Sequence, residues 1–259
     1  MRADVFLFSH GLAKSRSHAA ALISGGVTAG GKRIIKPSQD IPDETPTDEV
    51  IIENPYKYVS RGGYKLEGAL AAFSLDVKGL VAADLGASTG GFVDCLLQNG
   101  AKKVFAIDVG HGQLDKKLAE DPRVAAIEGV NARSVTREML GEEADIVTCD
   151  LSFISQALVY PAVEGLLRDG GIFVSLIKPQ FEAGRENVGK NGIVKSRKVH
   201  ADVIKKLFIK AAENHLYPQK AAVSPIEGGD GNREYLALFV KNGTPADITE
   251  KQISTITGA

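Results

Sequence analysis

Four ionisable side chains stand at the ends of predicted strands or beside them: Lys65, Asp150, Lys178 and Glu234. Lys178 closes the apolar run Ile172-Phe-Val-Ser-Leu-Ile177, which reads as a central strand. A cation buried there is costly unless carboxylates flank it. Asp150 closes a second such run, Ala144-Asp-Ile-Val-Thr-Cys149. Lys65 falls in the first turn of a helix entered through Arg61-Gly62-Gly63, where the helix dipole disfavours a cation. Singly, each has an ordinary reading too: Asp150 could cap its turn, Lys178 could pair with a surface acid, and Lys65 and Glu234 could face solvent.

Beside them lies Leu80-Val-Ala-Ala-Asp84-Leu-Gly86-Ala-Ser88-Thr-Gly90-Gly91-Phe92. An apolar run ending in Asp84 predicts a buried parallel strand, and the small residues after it allow a tight turn into a helix beginning near Phe92. Such a turn leaves bare N–H groups at a helix N-terminus, open to a close-packed ligand. The spacing is G-x-S-x-G-G rather than the dinucleotide fingerprint G-x-G-x-x-G, which argues against a dehydrogenase. A second strand, Lys103-Val-Phe-Ala-Ile-Asp108, ends in an acid where ribose hydroxyls would be met. In this order, strand, glycine turn, helix, strand and Asp108 resemble the S-adenosyl-L-methionine site of class I methyltransferases.

The elements that must position these residues alternate as strands and helices. Strands over Leu80–Asp84, Lys103–Asp108, Val124–Ile127, Ala144–Asp150 and Ile172–Ile177 predict a mostly parallel sheet, with ligands at its carboxyl edge. Helices fall near Phe92, over Leu158–Leu167 and over Val199–His215, and Asp169-Gly-Gly171 reads as a turn. A strand near Ala221–Ser224 and a final one after Gly228–Arg233 suit an antiparallel pair at the sheet edge. The 259 residues, 44% of them hydrophobic, suffice for this α/β domain plus a small one. Cys95 and Cys149 match no metal or redox spacing and read as buried free thiols, so no metal is expected. An opening Met-Arg-Ala-Asp without an apolar leader, and the lack of a spanning apolar run, predict a soluble cytoplasmic protein without membrane contact.

The net charge of −1 announces no partner, but its distribution does. Residues 1–39 carry Arg2, Lys14, Arg16, Lys32, Arg33 and Lys36 against the single acid Asp4, and the next fourteen carry six acids and no base. A block this basic suggests a phosphate-binding patch, although a solvated helix face would look similar. Its leading Arg2-x-Asp4, Ser15-Arg16 at a second helix and hairpin ending in Lys36-Pro37-Ser38 resemble the S-four type RNA-binding domain, also called the alpha-L motif. One departure is Ala29-Gly30 at the hairpin tip, where such domains often carry Val-Asn. The expected division is an RNA-binding domain over 1–46, a linker over 47–58, a methyltransferase domain over 59–245 and a tail over 246–259.

Lys65, Asp150, Lys178 and Glu234 together resemble the Lys-Asp-Lys-Glu tetrad of the FtsJ-like ribose 2'-O-methyltransferases. The likeness extends along the chain through Arg61-Gly-Gly-Tyr-Lys65, Asp108-Val-Gly-His-Gly-Gln-Leu, Gly129-Val-Asn131-Ala-Arg133, Cys149-Asp150-Leu-Ser-Phe, Lys178-Pro-Gln-Phe-Glu and Gly231-Asn-Arg-Glu234. Such a chain is similar to the TlyA family, hemolysin-named enzymes that 2'-O-methylate cytidines of ribosomal RNA. The resemblance implies a class I (Rossmann-like) methyltransferase fold with a small α+β N-terminal domain. It implies S-adenosyl-L-methionine as cofactor, its methionine part and ribose held by Asp84, Gly86, Ser88, Gly90 and Gly91, its ribose hydroxyls by Asp108 and its adenine by the Asn131 loop. Lys178 would be the base, oriented by Asp150, with Glu234 holding Lys65; alternatively the lysines mainly position the hydroxyl. Ribosomal RNA or ribosomal subunits would be the partner, with Arg2, Lys14, Arg16, Lys32 and Arg33 on phosphates and Arg61, Arg133, Lys190, Lys195 and Arg197 gripping the strand beside the active site. The residues leave open whether the chain is a monomer or a weak dimer. The rival readings are a non-catalytic ribosome-binding factor, a methyltransferase acting on a base or on transfer RNA, and a membrane-acting hemolysin, which would need a spanning segment, a barrel pattern or an export signal.

Overall fold

The computed structural model describes residues 1–13, 15–52, 57–228, 231–244, 246 and 248–259. They divide into two units, Met1–Lys57 and Tyr58–Ala259.

In the first unit, α1 (Ala3–Ser9) and α2 (Arg16–Gly26) pack on a small antiparallel sheet of β1 (Val27–Ala29), β2 (Lys32–Ile34) and β3 (Val50–Ile52), in the order β2-β1-β3. Ser15 caps α2 by accepting the His18 N–H at 3.1 Å, satisfying one of the donors a helix start leaves open. Phe6, Leu7, Ala19, Ile23, Val27, Ile34, Ile41 and Val50 fill the core between helices and sheet. The linker expected over 47–58 is corrected here. Val50–Ile52 pairs with β1 in the register Ala29↔Val50, Thr28↔Ile51 and Val27↔Ile52. Three residues among acids carry no periodic signal, and their partner lies more than twenty positions away, so local sequence could not announce the strand.

The second unit holds α3 (Gly62–Phe73), β4 (Val81–Leu85), α4 (Gly91–Gln98), β5 (Lys103–Asp108), α5 (Lys116–Ala119), β6 (Val124–Glu128), α6 (Arg137–Leu140), β7 (Ala144–Cys149), α7 (Tyr160–Leu166), β8 (Leu167–Ile177), α8 (Pro179–Glu182), α9 (Arg197–Ala212), β9 (Leu216–Val223), β10 (Tyr235–Lys241) and α10 (Glu250–Thr257). Its sheet runs β6-β5-β4-β7-β8-β10-β9 among the described residues. The first five strands are parallel, and β10 runs antiparallel to both β8 and β9. Strands covered on both faces bury both alternating sets of side chains. Thus Ala82, Val104, Ile146, Val174 and Leu236 face α3 and α4, with Leu66, Phe73, Phe92 and Leu96. Ala83, Phe105, Val147, Phe173 and Phe239 face α7 and α9, with Tyr160, Val163, Ile204 and Phe208.

The expected mostly parallel α/β sheet with an antiparallel edge is therefore found. Cys95 and Cys149 are buried free thiols. Two strand starts differ by about five residues. β8 begins at Leu167 and runs through Asp169-Gly-Gly171, read in sequence as a turn, because a register shift opposite Ala144 and Ile146 absorbs the irregularity. β9 begins at Leu216 rather than near Ala221. Strand order reverses between β4 and β7, and such a switch point opens a crevice at the carboxyl ends of the strands.

Candidate active site

The crevice is built from β4 outward. After Leu85 the chain turns through Gly86, Ser88 and Gly90, all with positive φ (85°, 49° and 94°). Gly86 must be glycine on two counts: its φ, and the Asp150 carbonyl oxygen only 2.8 Å from where a Cβ would sit. At Gly91 a Cβ would lie 2.2 Å from Ser60 Oγ and 2.9 Å from Gly63 N, so the starts of α3 and α4 meet backbone to backbone. Gly90 lines neither of the cavities below. The space beside its Cα is taken by Leu118 and Leu114, and its part is to turn the chain into α4.

Two adjoining cavities follow the edge. The first, about 190 Å³, is lined by Ser60, Gly62, Asp84, Gly86, Ser88, Gly91, Asp150, Ser152 and Lys178, among others. The second, about 150 Å³, is lined by Gly86, Ile107, Asp108, Val109, Asn131, Leu151, Ser152 and Ile154, among others. Gly86 and Ser152 border both. One half is polar and acid-rich, the other apolar with Asp108 and Asn131 at its rim. That donor set fits a nucleoside carrying a cationic tail.

The Asp108 carboxylate accepts the Ser88 N–H at 2.8 Å and the Gly110 N–H at 2.7 Å, tying the end of β5 to the glycine turn. Asn131 turns its side-chain oxygen to the Arg133 N–H at 3.0 Å. Asp84 lies beneath the first cavity, accepting the Thr148 hydroxyl at 2.7 Å. Burial pushes its carboxyl up to about 7, helped by the negative charges of Asp150 and Asp108 and opposed by the Thr148 bond.

Lys65, Glu234, Lys178 and Asp150 form two pairs. Lys65 Nζ donates to Glu234 Oε2 at 2.6 Å, with both groups buried. Lys178 Nζ lies 2.5 Å from Asp150 Oδ1 and donates to Ser152 Oγ at 3.0 Å. Register sets the pairs side by side: β10 and β8 align as Tyr235↔Ile177, so Glu234 and Lys178 are the next opposed positions. Lys178 and Asp150 line the first cavity, and Lys65 and Glu234 stand outside its lining. Sequence reading missed Ser152, Ser60 and Thr148; a hydroxyl two residues after the strand-ending acid was the available signal for Ser152.

The basic residues divide between the units. In the first, Arg2 and Arg16 converge on Asp4, with Arg2 Nε at 3.0 Å and Arg16 Nη2 at 2.8 Å, while Lys32 and Arg33 are exposed on β2. Lys14 lies outside the described residues. In the second, Arg61 donates to the Glu227 carbonyl at 2.5 Å, and Arg197 turns to the Gly258 carbonyl at 3.4 Å. Arg133, Lys190 and Lys195 are exposed.

A doubly wound sheet with a glycine turn after its first strand, an acid after its second and lysine–carboxylate pairs at the same edge defines a Rossmann-like methyltransferase. The family comparison agrees, since the model of the FtsJ-like methyltransferases matches residues 58–241. The chain belongs to that family and, within it, to the TlyA family. It is 46% identical, over 91% of its length and 84% of the other's, to a Bacillus subtilis protein provisionally named an rRNA methyltransferase. It is 41% identical, over 96% of its length and 93% of the other's, to the Mycobacterium tuberculosis 16S/23S rRNA (cytidine-2'-O)-methyltransferase TlyA. A Streptococcus thermophilus protein, solved under a provisional hemolysin name, superposes with a TM-score of 0.78 at 40% identity, covering 100% of this chain and 94% of that one. Among the described residues, no helix is long and apolar enough to cross a membrane.

Proposed function

We propose that this chain methylates the ribose 2'-hydroxyl of cytidine in ribosomal RNA, in the cytoplasm, using S-adenosyl-L-methionine. The observation that carries this reading is the Lys178–Asp150 pair on the wall of a nucleoside-shaped crevice, in a family whose relatives bear that activity in their names. When bound, S-adenosyl-L-methionine supplies an electrophilic methyl group.

Asp84, Gly86, Ser88 and Gly91 hold its methionine half in the first cavity, and Asp108 and Asn131 meet its ribose and adenine in the second. A ribose hydroxyl is a poor nucleophile at neutral pH and must lose its proton as it attacks. Lys178, with its amine in the neutral form, is the group on the cavity wall that meets that hydroxyl and takes the proton, and Asp150 and Ser152 fix the direction of its Nζ. Lys65, held by Glu234 beside them, keeps the attacking oxygen in line. The first unit serves as an RNA-binding module whose Arg2, Arg16, Lys32 and Arg33 position phosphates, with Arg61, Arg133, Lys190, Lys195 and Arg197 adding contacts from the second. A buried ribose must be unstacked to reach Lys178.

The test is transfer of labelled methyl to ribosomal subunits lacking the modification. Wild type is expected to transfer, and Lys178→Ala to lose on the order of 10²–10⁴-fold in kcat with cofactor affinity nearly intact. Transfer unchanged in Lys178→Ala removes that residue from the mechanism. Wild type that binds subunits but transfers nothing would favour a non-catalytic RNA-binding factor.

A further inference from the structure

Lys178 and Asp150 both lie past the ends of their strands. The last β7–β8 pair is Cys149↔Ser175, so ladder hydrogen bonds do not set the distance between the two side chains. The segments that carry them, 150–156 and 178–182, are joined by three successive contacts. Nearest the cavity, Lys178 meets Asp150 and Ser152. In the middle, the Phe153 and Phe181 rings lie 5.0 Å apart, centroid to centroid. At the far end, Glu182 accepts the Ser155 hydroxyl at 2.6 Å and the Gln156 N–H at 2.7 Å.

That last contact is buried, with Glu182 9% and Gln156 2% exposed. It is also fastened to the sheet: the Gln156 side chain donates to the Leu176 carbonyl and accepts from the Ser175 hydroxyl. A carboxylate accepting two hydrogen bonds in a largely dry setting holds its donors firmly, and losing it leaves the buried Gln156 N–H unmet. Phe153 is 87% exposed at φ 68°, a conformation a bulky residue keeps only when its surroundings impose it. The fixed ends on either side of Phe153 supply that constraint.

We propose that Glu182 is a positioning residue for the reaction: by clamping Ser155 and Gln156 to α8, it holds the 150–156 segment in register with Lys178, so that Asp150 and Ser152 meet its Nζ. This rests on the methyl-transfer reading above. The clamp works through geometry, and a misplacement of about 1 Å at a reacting group costs roughly 100-fold in rate.

Three measurements on the full-length protein test it: steady-state methyl transfer to subunits, thermal unfolding, and amide hydrogen exchange across 151–156. Glu182→Gln is expected to lower kcat by about 10- to 100-fold with KM for cofactor and subunits within a factor of two, and to speed exchange over 151–156 while the sheet strands stay protected. Ser155→Ala, which removes one of the two donors and leaves the carboxylate, is expected to show the same split at smaller size. The double variant should resemble Glu182→Gln alone, because the two act as one unit. Wild-type kcat in both single variants overturns the proposal, as does a loss fully accounted for by the unfolded fraction. If wild type transfers nothing, the functional reading fails instead, and the exchange measurement still decides whether Glu182 clamps the segment.

Discussion

Carboxylates hold cations in both units, in opposite arrangements. In the first, the acid is hidden and the bases are not: Asp4 is 7% exposed in its side chain, while Arg2 and Arg16 are 50% and 57% exposed. Hydrogen bonds from both guanidinium groups keep the Asp4 carboxyl well below the usual carboxylate range. In the second, Lys65 and Glu234 are buried together, and buried Lys178 meets a half-buried Asp150. A sunken acid beneath two exposed guanidinium forks presents charge outward, where phosphates can compete for it. A lysine buried with its acid presents direction instead, because its desolvated charge has one place to go.

That contrast predicts unequal costs when one partner is removed. Glu234→Ala leaves Lys65 as an uncompensated buried cation and is expected to lower stability by about 3–5 kcal/mol, read by denaturant unfolding. The double replacement Lys65→Met/Glu234→Leu should recover most of that loss, while Arg16→Ala in the first unit should barely move the transition. Equal losses at the two places would erase the distinction between them.

The buried side can be sharpened through Asp84. Its folded-state value near 7 lies above the ordinary value near 4, so between those limits the native state binds more protons than the unfolded one. Stability should therefore fall as pH rises from about 4 to 7, by up to about 4 kcal/mol from this residue, and level off above. Asp84→Asn should remove that slope in unfolding curves measured across the range. An unchanged slope would mean that the carboxyl ionises freely in the crevice.

The smallest effect belongs to the exposed side. Arg2→Ala and Arg16→Ala should each weaken binding to subunits and reduce the slope of log affinity against log salt by about one, with cofactor affinity unchanged. An unaltered slope would show that these guanidinium groups do not meet phosphates.

The central sheet was legible in the sequence because a strand buried on both faces is a continuous apolar run, as in Val81–Leu85 and Ala144–Cys149, and an acid or lysine at its end is conspicuous. Ser15 and the following helix were legible for the same local reason. β3 was not, since its three residues become a strand only against a distant partner. Glu182 and Gln156 carry no periodic signal, and their contact joins positions 26 residues apart. Gly90 illustrates a third limit: its place in a glycine-rich turn suggested ligand contact, whereas Leu114 and Leu118 occupy the space beside it.

The position of β10 sets an order of assembly. Residues 60–178 line both cavities, yet Glu234 comes just ahead of β10, the strand that folds back between β8 and β9. A growing polypeptide released up to residue 233 carries every residue that lines the two cavities but not the counter-charge for Lys65. The counter-ion is thus the last component of the site to be synthesised, and a shortened translation product lacks it.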